Sequence, residues 1–343
     1  RRPVFLGALF CYAALTLATA FAPSLTIFTG LQLFARMAMV VELFVAYVIL
    51  SEEMPPEIRG RVNGLFASTA ALGAAFPAAF LAPLEAIGLG WRGLFLVGSL
   101  PLLLFPVYWR TIPETRAFAT RDRRERRYAV EFVSGVQSLW RSSERGRLLR
   151  VAGIWLAINL WSGTALYFLT TYAYLERGWD AKDLQLLPWG TIPVGMAGYA
   201  LSGFVMDRFG RRPALTGYLI AAFAATLLCY RSTADPAIYL GWILLIGLGG
   251  VWTVVTTWTT ELFTTSHRAT ALGLANFLIG RLGLVIGPIV APQLASAWGA
   301  TAIAVPVLAS VTLLCVPLVW TLPETNGVML AGTADAEAAL DTD

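Results

Sequence analysis

Ten apolar runs shape this 343-residue chain, each near the roughly 20 residues that a helix needs to cross a bilayer. They fall at about 4–22, 25–50, 62–84, 92–110, 149–172, 186–206, 214–230, 236–260, 269–292 and 301–322. With 57% hydrophobic and 13% charged residues, a soluble core could not hide so much apolar surface. The expected class is therefore an all-α polytopic membrane protein. Cys11, Cys229 and Cys315 all lie inside apolar runs, so they read as packing residues and imply no disulfide framework. No cleavable signal peptide is visible, and internal helices make one unnecessary.

The charges sort by side. Alternating across the spans, one side carries Arg1, Arg2, Arg59, Arg61, eleven arginines from Arg110 to Arg150, and then Arg208, Arg211, Arg212 and Arg268. The other side carries only Arg92, Arg177, Lys182 and Arg231. The bias predicts that the first side is cytoplasmic and supports the span count, since one missed helix would scramble the alternation. Both ends of the chain then face the cytoplasm, and the membrane is an inner membrane. Residues 111–147 form the long polar connector. Its run Arg121–Arg127, followed by Val130, Phe132, Val133, Val136 and Leu139, predicts an amphipathic helix lying on the membrane surface. Such a run fits a phosphate-facing loop better than a nucleic-acid site, so no nucleic-acid partner is expected. The Ala-, Asp- and Glu-rich stretch 329–343 is expected to be disordered.

The sequence repeats itself. Arg1-Arg2-Pro3 returns as Arg211-Arg212-Pro213, and Pro113-Glu114-Thr115 as Pro323-Glu324-Thr325, both at an offset of 210. Glu52, Arg59 and Gly64 match Glu261, Arg268 and Gly273 at an offset of 209. Matches at one offset indicate two parallel halves. The expected organisation is a partial bundle at 1–110, a linker at 111–147 and a six-helix bundle at 148–328.

Between two apolar runs stands Gly203-Phe-Val-Met-Asp-Arg-Phe-Gly-Arg-Arg-Pro213. Its form, G-x3-D-R-x-G-R-R, closely resembles the cytoplasmic loop signature of the major facilitator superfamily of secondary transporters. The resemblance covers the chain to about residue 328 and implies twelve helices, of which ten are present and the first two are expected to be missing. It also implies a cytoplasmic latch that closes when the transporter opens outward. Its members here are Gly203, Asp207, Arg208, Gly210, Arg211, Arg212, Glu261, Arg268 and Glu324, with Glu52 or Glu53, Arg59 and Glu114 as their counterparts in the first half. The other reading of these charges is that they are solvated loop ends obeying the topology rule.

Charges inside spans are expensive and usually face a cavity or a partner. Arg36 and Arg281 fall near the expected midplane, where such transporters bind substrate, and Glu42 lies about 9 Å nearer the cytoplasm. Arg36 and Glu42 are about 120° apart around their helix and should not pair with each other. Glu42 is either the proton-coupling acid, since loss of water favours the neutral carboxyl, or half of a structural ion pair. The two arginines either attract an anionic substrate or neutralise acids such as Glu42. The segment from Arg36 through Glu42 and Glu52 to Arg59-Gly60 resembles the fourth helix of aromatic-acid and sialate proton symporters. Met37–Val41 stands where those have a glycine-rich run. Trp155 and Asn159, four residues apart, are expected to share a cavity-facing stripe, with Trp252 and Asn276 adding polar-aromatic options. Tyr172, Trp179, Trp189 and Trp298 read as interface aromatics. Pro77, Pro193, Pro288 and Pro317 are expected to kink their helices.

No Walker loop or metal-ligand spacing is present, and the single His267 sits beside Arg268. The chain reads as a transporter and not an enzyme, without cofactors or metals. Its expected partners are a small-molecule substrate, protons and the lipid bilayer, and it is expected to act as a monomer. The function expected is secondary active transport, as proton-coupled symport of an organic anion or sugar-like solute. The alternatives are a drug:proton antiporter or a transport-dead membrane sensor.

Overall fold

Each apolar run becomes helix in the computed structural model, which describes residues 1–114, 128–179, 187–265 and 267–327. In chain order the helices are α1 Arg2–Ala20, α2 Leu25–Glu53, α3 Arg59–Ala86, α4 Gly90–Gly98, α5 Pro101–Thr111, α6 Tyr128–Arg141, α7 Arg145–Ala165, α8 Leu169–Leu175, α9 Leu187–Phe209, α10 Arg211–Arg231, α11 Asp235–Gly247 and α12 Gly250–Glu261. There follow α13 Arg268–Leu272, a π-helical segment Gly273–Gly280, α14 Leu282–Trp298, α15 Thr301–Ala309, α16 Val311–Leu314 and α17 Val316–Trp320. Eight of the ten expected spans are long and apolar enough to cross a membrane on the described residues alone. The remaining two are helices α3 and α9, of 28 and 23 residues.

Several spans are assembled from pieces, and the breaks have local causes. The run 92–110 divides at Ser99–Leu100, ahead of Pro101, which lacks an N–H to continue the ladder. The run 236–260 divides at Leu248–Gly249, between α11 and α12. The last run divides at Ser310 and Cys315, with Pro306 inside α15 and Pro317 opening α17. Pro193, Pro288 and Pro292 lie within continuous helices. The side chain of Pro77 lies outside the described residues, as do the basic run 121–127 and the tail 329–343.

Two compact units result, one of Arg1–Glu53 with Leu72–Glu125, the other of Met54–Ala71 with Arg126–Asp343. In the first, α1 packs along α2, and Gln32 donates to Thr19 at 3.1 Å. Phe28, Trp91 and Phe95 meet edge to face beside it. In the second, α7 is buried along most of its length, against the π-helical segment and α14. That close packing needs glycine. A side chain at Gly283 would strike the backbone of Leu156 and Leu160 at 2.4 Å. Trp155, Trp161 and Trp258 fill the core of this unit.

Two of the interface aromatics are packed inside instead. Tyr172 is buried, donating to the Tyr230 carbonyl at 3.2 Å, and Trp179 is buried against Tyr239 with its indole N–H on Asp235. A buried hydroxyl or indole is tolerated because each polar tip finds an acceptor. Trp298 is exposed, and the side chain of Trp189 lies outside the described residues.

Candidate functional site

The second unit is organised around one buried carboxylate. Glu261, at the end of α12, is fully buried and accepts from two guanidiniums and a hydroxyl. Arg211 donates Nε to Oε2 at 2.9 Å and Nη2 to Oε1 at 2.8 Å, the two-pronged geometry that suits a planar guanidinium. Arg59, from the start of α3, adds Nη1 to Oε1 at 3.0 Å, and Thr325 adds Oγ1 to Oε2 at 2.5 Å. Both arginines are themselves buried, so each charge is out of water and is neutralised inside the cluster.

The loop signature supplies a second layer. Asp207 accepts from the backbone N–H groups of Gly60 at 3.0 Å and Arg61 at 2.8 Å, in the first turn of α3, with Arg211 3.4 Å away. Those orphan donors at a helix start are where a carboxylate is favoured. Glu324 does the same for α10, accepting from the N–H groups of Arg211 at 2.8 Å and Arg212 at 2.9 Å. The turn that allows this is Gly210, with φ +94°, and a side chain there would meet Glu324 Oε2 at 2.8 Å. Gly203 holds α9 against α3 so closely that a Cβ would lie 2.3 Å from the Gly60 oxygen. Arg211 Nη1 also reaches Asn326 at 2.6 Å, Arg212 Nε donates to the Leu322 carbonyl, and Arg268 Nε donates to the Thr260 carbonyl at 2.6 Å. Arg208 is exposed and makes no hydrogen bond or ion pair among the described residues.

The first unit carries a parallel arrangement on the repeat's counterparts. Arg1 pairs with Glu52 at 3.0 Å, as Arg211 does with Glu261, and the Arg2 N–H donates to Glu114 at 3.0 Å, as Arg212 does to Glu324. Of the two acids the sequence leaves open, Glu52 is the one on Arg1.

The mid-span residues divide into two groups. Trp155 and Asn159 do meet, but in packing: the Trp155 indole donates to Thr259 at 3.1 Å, Asn159 Nδ2 to the Trp155 carbonyl at 2.9 Å, and both are buried. Trp252 stacks at a tilt on Trp161, 6.4 Å between centroids. Asn276, in the π-helical segment, is 4% exposed, and its side-chain oxygen has no partner among the described residues. A buried acceptor left open needs a reason. Arg36 and Arg281 are exposed and Glu42 is half-buried, and none forms an ion pair among the described residues. Arg281 stands at the junction of the π-helical segment and α14, over the Phe277 ring at 5.5 Å.

A sequence profile described as Major Facilitator Superfamily matches residues 1–277 and 192–337. The chain belongs to the Major Facilitator Superfamily. Among its relatives, the niacin transporter NiaP of Acinetobacter baylyi is 27% identical over 320 residues, covering 84% of this chain and 71% of that one. The cis,cis-muconate transport protein of the same organism is 26% identical, covering 83% of this chain and 69% of its own. The solved structure of the proton:xylose symporter XylE matches 99% of this chain and 83% of its own, with a TM-score of 0.76 at 16% identity, a likeness of fold. As a member of this superfamily the chain is a secondary active transporter of a small organic solute, and it is not an enzyme.

Sequence reasoning missed several polar groups that this superfamily member gathers around the charged cluster. Thr325 and Asn326 follow the repeated Pro-Glu pair, and their position beside Glu324 was the available signal. Asn63, buried in α3, donates to Thr257 at 2.9 Å. Glu144 accepts from His267 Nδ1 at 2.6 Å and from the Thr264 N–H at 3.1 Å, while Ser138 of α6 touches His267 Nε2 at 3.1 Å. A lone histidine with no nearby acid in sequence gave no hint of that triplet.

Proposed function

We propose that this transporter is a proton-coupled symporter of a small organic carboxylate, working by alternating access in an inner membrane. The observation that carries the reading is the pair Arg36 and Arg281, each in an apolar span and each without an ion-pair partner among the described residues. An uncompensated guanidinium in hydrocarbon is costly, and a carboxylate solute would relieve it with two-pronged hydrogen bonds. Niacin and cis,cis-muconate, for which two relatives are named, are both carboxylic acids. Glu42, half-buried and unpaired among the described residues, is the proton carrier in this reading, and Asn276, buried in the π-helical segment, turns its amide NH2 to the solute's carboxylate.

The cluster of Asp207, Arg211, Glu261, Arg59 and Glu324 is the cytoplasmic latch in this reading, supported by the hydrogen bonds that join its members. Arg1, Glu52 and Glu114 are its counterpart in the first half of the sequence. Residues 1–110 and 148–328 act as the two rocking halves, 111–147 joins them on the cytoplasmic side, and the arginine-rich side, including both chain ends, faces the cytoplasm. The transporter acts as a monomer.

The test is uptake into proteoliposomes holding the full-length protein, with an imposed pH gradient. Niacin and cis,cis-muconate should be taken up in proportion to the inward proton gradient, and nicotinamide and xylose should not. Arg36→Lys and Arg281→Lys keep the charge but lose the planar fork, so binding should weaken by roughly tenfold, equivalent to about 1.4 kcal/mol. If both variants bind the transported solute as the parent does, the carboxylate reading is wrong. If neutralising an arginine and Glu42 together restores stability lost in the single variants, the arginines are structural partners of that acid.

A further inference from the structure

A groove on the second unit, outside the charged cluster, has the shape and charge to hold a lipid. It runs between α9, α10 and α11, encloses about 510 Å³ and is almost wholly apolar. Its floor is the contact of Gly198 with Gly247, so close that a Cβ at Gly198 would lie 1.9 Å from the Gly247 oxygen. Along α9 the wall extends from Val194 to Phe209. That is about 22 Å of helix at 1.5 Å per residue, longer than the roughly 15 Å that one leaflet of a 30 Å hydrocarbon core spans. On α10 the wall is cut back by Gly217, where an added Cβ would meet nothing within 4 Å.

The arginine-rich end of the groove carries an unsatisfied cation. Arg208 is seven residues from Leu201, within about 20° of two full helical turns, and so lies on the same face of α9 as the groove residues Leu201 and Val205. It is exposed and has no ion pair among the described residues. The acids nearby are committed elsewhere. Asp207 is turned to Gly60 and Arg61 with its side chain fully buried, and Glu324 is held by the N–H groups of Arg211 and Arg212. The mouth therefore offers a positive charge and no free carboxylate to hold a choline or ethanolamine ammonium.

We propose that this groove binds one acyl chain of an anionic phospholipid, whose phosphate sits on Arg208. Basic residues at the end of an intramembrane groove are the usual means of selecting anionic head groups.

The experiment is native mass spectrometry of the full-length protein released from vesicles of phosphatidylcholine with an equal share of phosphatidylglycerol. The parent should retain one phosphatidylglycerol in preference to phosphatidylcholine. Gly217→Leu adds a branched side chain to the groove wall at a position with open space at its Cβ, and should lower retention by tenfold or more. Arg208→Gln should lose the preference, by roughly fivefold for one cation at an anionic surface, and Arg208→Lys should keep it. Thermal unfolding of each variant, with and without added phosphatidylglycerol, reports folding independently: the parent and Arg208→Lys should be stabilised by the lipid, and Gly217→Leu should not. Equal retention of both lipids by the parent, or unchanged retention in Gly217→Leu, overturns the proposal. So does a mass showing a second copy of the chain in place of lipid, or full competition by glycerol phosphate, which would mean a head-group site without the groove.

Discussion

Glu261→Gln removes one charge from the buried cluster while keeping the side chain's shape. In the structure its two oxygens receive three guanidinium hydrogen bonds, at 2.8, 2.9 and 3.0 Å, and one from Thr325. A glutamine offers a single acceptor and turns an NH2 toward donors already in place, leaving Arg59 and Arg211 as buried cations with too little negative charge. Removing one partner of a buried pair destabilises by about 3–5 kcal/mol. Even 3 kcal/mol, taken from this conformation alone, would shift its population by about 100-fold. Opening can be read from maleimide labelling of a cysteine at Thr257, which is fully buried and contacts Asn63, in a background with Cys11, Cys229 and Cys315 replaced. Labelling in Glu261→Gln should be at least tenfold faster than in the parent, with slower turnover and a lower midpoint of thermal unfolding. Parent-like labelling together with parent-like turnover would refute the claim that this carboxylate holds the latch.

Three further outcomes are expected. Asp207→Asn should slow transport in proteoliposomes while leaving solute affinity near the parent's, because it loosens the start of α3 without touching the mid-span residues. Gly210→Ala should destabilise by about 1–3 kcal/mol, since its φ of +94° and ψ of 166° lie in a region nearly closed to other residues, and the loss should appear in thermal unfolding. Tyr172→Phe should remove about 0.5–1.5 kcal/mol, one buried hydrogen bond to the Tyr230 carbonyl, with no change in uptake.

The spans could be read from sequence because hydrocarbon imposes one rule, an uninterrupted apolar length, and leaves few exceptions. The members of the charged cluster, Arg211, Arg212, Glu261 and Glu324 among them, could be picked out from the repeat, since the same residue types return at nearly one offset in both halves, but which atom meets which could not. The breaks were harder. Proline accounts for the division before Pro101, but nothing in Gly273–Gly280 separates an α-helical turn from a π-helical one. Tyr172 and Trp179 were misplaced because aromatics near a span end look alike whether they face lipid or pack inward. That depends on where Tyr230 and Tyr239 fall, some 60 residues away. Thr325 belongs to the repeated Pro-Glu-Thr triplet and Asn326 follows it, so their place beside Glu324 was legible, but their bonds to Glu261 and Arg211 depend on tertiary proximity.

The π-helical segment amounts to one residue of slack stored in the middle of a span. The Arg281 N–H donates to the Asn276 carbonyl at 2.8 Å, five residues back, where an α-helix would use the fourth. Annealing that stretch to α-helical spacing would shift the bonding register by one residue. Everything beyond the junction would then turn by about 100° and advance by about 1.5 Å relative to what precedes it. Arg281 stands at that junction. A slip of this size would re-aim its guanidinium by more than a quarter of a turn while breaking few hydrogen bonds, a way to move a charge deep in the membrane without a hinge.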